Sequence, residues 1–105
     1  MSIFGNIVDA IRTLMGGRLT YSEMADVLDK LALENPEDLD WRNSIVDLLK
    51  LVDIDSSLAN RKALAKELNY NRALDGSAEM NIALHGLVMQ KLAEHGGTAP
   101  DSLKD

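Results

Sequence analysis

Residues 39–68, LDWRNSIVDLLKLVDIDSSLANRKALAKEL, decide the fold. They contain the chain's one Trp, a nearly all-round apolar run, an Asp-rich turn with two serines, and a Leu/Ala repeat with basic margins. Ile45, Val46, Leu48, Leu49, Leu51 and Val52 cover too much circumference for a helix with one face in water, so a central helix is expected over about 41–52, with Asp40 as its cap. The turn Asp53-Ile54-Asp55-Ser56-Ser57 then breaks that helix and caps the next. In the fourth helix Leu58, Arg61, Leu64, Ala65 and Leu68 form one stripe, and Asn69, which tolerates the left-handed conformation, supplies the stop. Trp41 is thereby read as a core or joint-packing residue, and the turn with Asp55 and Ser56 as a structural joint.

Outward toward the N-terminus, Thr20-Tyr21-Ser22-Glu23 is a capping box flanked by Leu19 and Met24 in hydrophobic-staple positions, so a second helix is expected from Thr20. Met24, Val27, Leu28, Leu31 and Ala32 form its inner face, and Pro36 forbids continuation past Asn35. In SIFGNIVDAIRTLM the residues Ile3, Phe4, Ile7, Val8, Ile11, Leu14 and Met15 recur at three and four, which marks an amphipathic first helix closed by Gly16-Gly17. Outward toward the C-terminus, Tyr70–Gly76 reads as loop, and a fifth helix is expected from about Ser77 to His95 with Gly96-Gly97 as its stop.

No segment has the period of two that a strand needs. The fold class is therefore all-α, a compact bundle of about five helices around the one at 41–52. At 105 residues the chain is expected to form a single domain, with an amphipathic helix in 1–17, a helical core over 20–97 and a tail over 98–105. The formal charge is −6, divided as −5 over residues 1–49, +2 over 50–72 and −3 over 73–105. An acidic chain is repelled by phosphate backbones, so general nucleic-acid binding is not expected. The absence of Cys excludes disulfides and thiolate metal sites. No apolar run approaches the ~20 residues of a membrane-spanning helix, and the N-terminus lacks the features of a secretory signal, so a cytoplasmic location is expected.

Several stretches invite a chemical reading. Asp55-Ser56-Ser57-Leu58 resembles the site at which acyl carrier proteins bear a prosthetic arm, but Ser57 interrupts the usual triplet, and capping of backbone amides accounts for both serines. The third and fourth helices could form a helix-turn-helix offering Arg61, Lys62 and Lys66 to DNA; the turn lacks a Gly, and Asp53, Asp55 and Glu67 blunt the positive field. A calcium loop starting at Asp53 would need Gly at the position of Leu58 and Glu at that of Leu64. His85 and His95 lie about 80° apart and nearly three turns distant on one helix, so they share no metal; a satisfied half-buried role suits His85. The carboxylates Glu34, Glu37, Asp38 and Asp40 cluster where helix ends need acidic caps. No catalytic residue, metal or cofactor is expected, and the protein is not read as an enzyme.

The blocks MSIFG at the start, ADVLDKLA at 25–32, LDWRNSIVDLLKL at 39–51, DSSLANRKALAKEL at 55–68, MN at 80–81, LH at 84–85 and LAEHGG at 92–97 resemble the bacterial family catalogued as domain of unknown function thirty-five ninety-seven. The resemblance spans nearly the whole chain. It implies a compact helical domain and no assigned activity. It also implies a first helix often held away from the domain by a long linker, whereas here only Gly16 to Leu19 intervene, short enough to let the helix fold back.

The expected function is a non-catalytic protein-interaction or adaptor domain. Its contact with an unidentified protein partner, or with a second copy, is expected through Ile3, Phe4, Ile7, Ile11 and Leu14. The alternatives are a DNA-binding regulator using Arg61, Lys62 and Lys66, and an acyl-carrier-like acceptor at Ser56 or Ser57.

Overall fold

The computed structural model describes residues 2–16 and 20–96, with residues 95 and 96 described by their backbone alone. The described residues form α1 (Ile3–Leu14), α2 (Tyr21–Glu34), α3 (Ile45–Leu51), α4 (Leu58–Glu67) and α5 (Ala78–Gly96), with no strand among them. The class is all-α. A Cα radius of gyration of 13.4 Å matches a folded chain of about 100 residues.

Each helix begins on a hydroxyl that accepts one of the amide hydrogens a helix start leaves unpaired. Ser2 accepts from Gly5, Thr20 from Glu23, Ser44 from Asp47, Ser57 from Asn60 and Ser77 from Met80. Thr20 caps α2 as expected, and the Glu23 carboxylate reaches back to the Thr20 hydroxyl, which donates to it at 2.6 Å in place of the Thr20 backbone N–H of a full capping box. Its staple partner Leu19, the second glycine of the first stop and the expected tail at 98–105 lie outside the described residues.

The ends of α3 and α4 use one device twice. Asp53 (φ 64°) and Asn69 (φ 63°) both stand in the left-handed region one residue past the helix cap. Asp53 N–H donates to Lys50 O and Ile54 N–H to Leu49 O; Asn69 N–H donates to Lys66 O and Tyr70 N–H to Ala65 O. These paired reverse bonds satisfy the last carbonyls and turn the chain sharply. Asn69 is the expected stop.

The third helix departs from its expected span of 41–52. It is seven residues long, Ile45–Leu51, and its cap is Ser44, not Asp40. Asp40 does open a turn, since Asn43 N–H and Ser44 N–H both donate to its carbonyl. Ser44 then takes an extended conformation (φ −129°, ψ 120°), and the helix restarts behind it. The physical cause is Asp47, whose own amide is capped by Ser44 Oγ while its carboxylate accepts from Asp40 N–H at 2.8 Å, holding the turn outside the helix.

The core is built from one stripe per helix: Ile7, Val8 and Ile11 from α1, Met24 and Leu28 from α2, Ile45, Leu48, Leu49 and Leu51 from α3, Leu64 and Ala65 from α4, and Leu84, Val88 and Leu92 from α5. Trp41 and Leu39 close it from the turn before α3. α1 packs chiefly on α4; α2, α3 and α5 pack on one another. The first helix does fold back on the bundle.

Candidate functional site

Among the described residues, several places combine polar side chains with exposed apolar surface, and two of them involve the residues singled out by sequence. The first is the seat of α1. Its N-terminus is covered by Glu67, the last residue of α4, whose carboxylate oxygens accept from Ile3 N–H at 2.8 Å and Phe4 N–H at 3.1 Å. A carboxylate at a helix N-terminus satisfies two orphan amides and complements the helix dipole. Of the residues expected to meet a partner, Ile7 and Ile11 are fully buried, and Ile3 and Phe4 are half-buried against the core. Leu14 is 45% exposed, beside Ala10, Leu31, Leu51 and Val52 in a shallow apolar groove. A partner reaches Ile7 and Ile11 only if α1 leaves its seat.

The second place is a groove of about 570 Å³ between the C-terminal half of α2 and the turn that carries Trp41. Trp41 is 2% exposed. Its indole N–H donates to Asp29 Oδ1 at 3.1 Å, its carbonyl takes the Nε2 proton of buried His85 at 2.8 Å, and Arg42 lies 4.5 Å above its ring. Arg42 also donates to Asp29 Oδ2 at 2.7 Å, so one carboxylate gathers both neighbours. The hydrogen bond from Arg42 holds the Asp29 carboxyl below the usual carboxylate range; desolvation opposes that shift, and the Trp41 indole adds to it. The same bond raises Arg42. His85 is the satisfied core histidine that its position beside the inner face implies, and its partner fixes Nε2 as the protonated nitrogen. The side chain of His95 is outside the described residues.

The joint at 53–58 is structural in its geometry. Asp55 Oδ1 accepts from Ser57 N–H at 2.9 Å, and Ser57 Oγ caps α4. Ser56 contributes through its carbonyl, which accepts from Arg61 Nε at 3.1 Å, so the capping hydroxyl is that of Ser57. The same Asp-x-Ser arrangement recurs at Asp75 and Ser77, where Asp75 Oδ1 accepts from Ser77 N–H at 3.0 Å. That backbone bond, and then the Ser77 hydroxyl, lower the Asp75 carboxyl. Of the three basic residues considered for DNA, Arg61 is engaged, since its guanidinium donates to Asn81 on α5 at 2.6 Å; Lys62 is half-buried and Lys66 exposed.

Among the described residues no three His, Asp or Glu side chains gather as a metal site would require, and no helix is long and apolar enough to cross a membrane. The residues that sequence reasoning missed are Glu67, Asp29 and Asn81. Each acts on a group brought close only by the tertiary fold, and although all three fall within the blocks that carry the family resemblance, nothing local marks their partners.

The fold defines a class first: a small all-α domain with hydroxyl-capped helices and a buried Trp–His contact. The chain belongs to the family described as Domain of unknown function (DUF3597), whose model matches residues 15–100. That description assigns no activity. No curated protein and no solved structure matches the chain.

Proposed function

We propose that the protein is a non-catalytic interaction module in which α1 is an exchangeable ligand of its own helical domain, seated on α4 in the free protein and available to a protein partner or a second copy when released. The observation that carries this reading is the seat of α1: Ile3–Leu14, which precedes the stretch 15–100 that the family model matches, inserts Ile7, Val8 and Ile11 into the core formed by the other four helices. This is the helix-in-groove mode, with anchors at i, i+4 and a neighbour between them. Gly16, at φ 75°, marks the joint between helix and domain. The same stripe, Ile3, Phe4, Ile7, Ile11 and Leu14, would serve a partner, since an apolar face released from one groove needs another.

The test uses the full-length chain carrying Ile7→Asp and Ile11→Asp, so that α1 cannot seat, titrated with a fluorescein-labelled peptide of residues 2–16. Saturable binding to this variant, with far weaker binding to the wild type whose groove is filled, is the expected result. Loss of the helicity of α2–α5 in the variant would make α1 an integral part of the core and end the proposal. A folded variant that ignores the peptide would end it equally.

A further inference from the structure

The groove beside Trp41 is a surface that α1 does not line, and we propose that it docks a basic protein segment in which one apolar side chain is flanked by Lys or Arg. Leu33 stands at its rim, 88% exposed, the most exposed of the large hydrophobic side chains described, with Ala32 beside it on α2. Asp38 and Asp40 belong to the same lining, and among the described residues neither makes an ion pair. Asp40 spends its carboxylate only on the Asn43 side-chain amide, at 3.2 and 3.3 Å.

Charge complementarity selects the occupant. The groove's own lining carries Asp29, Asp38 and Asp40 against Arg42, a net charge of −2. Arg42 adds no free positive charge, because Asp29 holds it, and Glu37 is satisfied by Lys50 at 3.3 Å. The groove thus has an apolar contact at Leu33 and, along the same lining, two carboxylates that no cation among the described residues pairs. A segment with a Leu-like side chain and adjacent cations meets both. Its base is preformed: the Trp41 carbonyl is pinned by His85 and the indole by Asp29, so docking orders little protein.

The experiment titrates full-length protein, labelled for amide NMR, with the helical probe peptide KKLLKKLLKKL at low salt, then with an acidic peptide of the same length. Saturable shifts confined to residues 29–42, absent with the acidic peptide, are expected. Asp38→Asn with Asp40→Asn should weaken binding about tenfold, the sum of two exposed charge contacts, and Leu33→Ala should weaken it independently. Shifts spread over every acidic surface would overturn the proposal, as would an unchanged affinity in the Asn variant. Should that variant fail to fold, the wild-type map and Leu33→Ala decide. Because α1 does not line this groove, the wild-type titration decides the proposal whatever the outcome of peptide exchange at α1.

Discussion

Replacing Trp41 by Ala tests the packing of the turn before α3, which is held by α2 and α5 and not by the joint at 53–58. The ring is 2% exposed, and truncating a buried aromatic to Ala costs roughly 3 to 5 kcal/mol in lost transfer energy and cavity. Arg42 also loses the ring it lies over at 4.5 Å, a contact worth about 0.5 to 1 kcal/mol at an exposed site. Asp29 keeps its bond to Arg42 and faces solvent, so the lost indole N–H leaves no buried orphan. The sum is about 3.5 to 6 kcal/mol, and at ~4 °C per kcal/mol for a domain of this size the melting temperature should fall by roughly 14 to 24 °C. Far-UV circular dichroism in urea is the assay, because the variant removes the only Trp. Trp41→Phe is the control: it keeps most of the buried ring and removes only the indole donor, and should cost about 1 to 2 kcal/mol. A loss below ~1 kcal/mol for the Ala variant would refute the packing role. Equal losses for the two variants would place the energy in the hydrogen bond instead of the ring.

Two further outcomes follow from the geometry. Asp29 and Asp75 both have folded-state values below those of the unfolded chain, so the stability they contribute is present above about pH 4 and is lost as pH falls through the lowered values; thermal melts should be flat from neutral pH down to about 5 and decline below 4, with Asp29→Asn removing part of the decline. Gly76→Ala should destabilise by about 1 to 3 kcal/mol, because φ is 74° and the new Cβ would stand 2.7 Å from Leu58 Cδ1; a urea midpoint equal to that of the wild type would show that Leu58 yields freely.

The helices were readable because their signals are local. Thr20 with Glu23, the glycines after α1 and Asn69 after α4 act within a few residues of where they stand, and the apolar stripes of α1, α2 and α5 are simple periodicities. The start of α3 was misplaced because Asp40 and Ser44 are both competent caps, and the contest between them is settled by Asp47 reaching back seven residues and by Trp41 being held from α2 and α5. Nothing in the order of residues 39–52 contains Asp29 or His85. The seat of α1 was left open for the same reason: an amphipathic stripe states that it will be buried and not against what. Glu67 lies more than sixty positions from the amides it accepts from.

The basic face of α4 illustrates how a pattern can point one way and its geometry another. Arg61, Lys62 and Lys66 on one helix suggest an outward-directed positive surface. Yet the two ends of α4 are committed inward: Arg61 bonds to Ser56 O and to Asn81, tying the helix start to α5, and Glu67 caps α1 at the other end. α4 is therefore a brace between α1 and α5. Its charges do different things at its two ends. Arg61 is shielded and positioned, so its loss would loosen α4 from α5. Glu67 is exposed and accepts from two amides of α1. Under the proposed exchange of α1, release would break the contacts at Glu67 and along Ile7–Ile11 and would leave the bond from Arg61 to Asn81 in place.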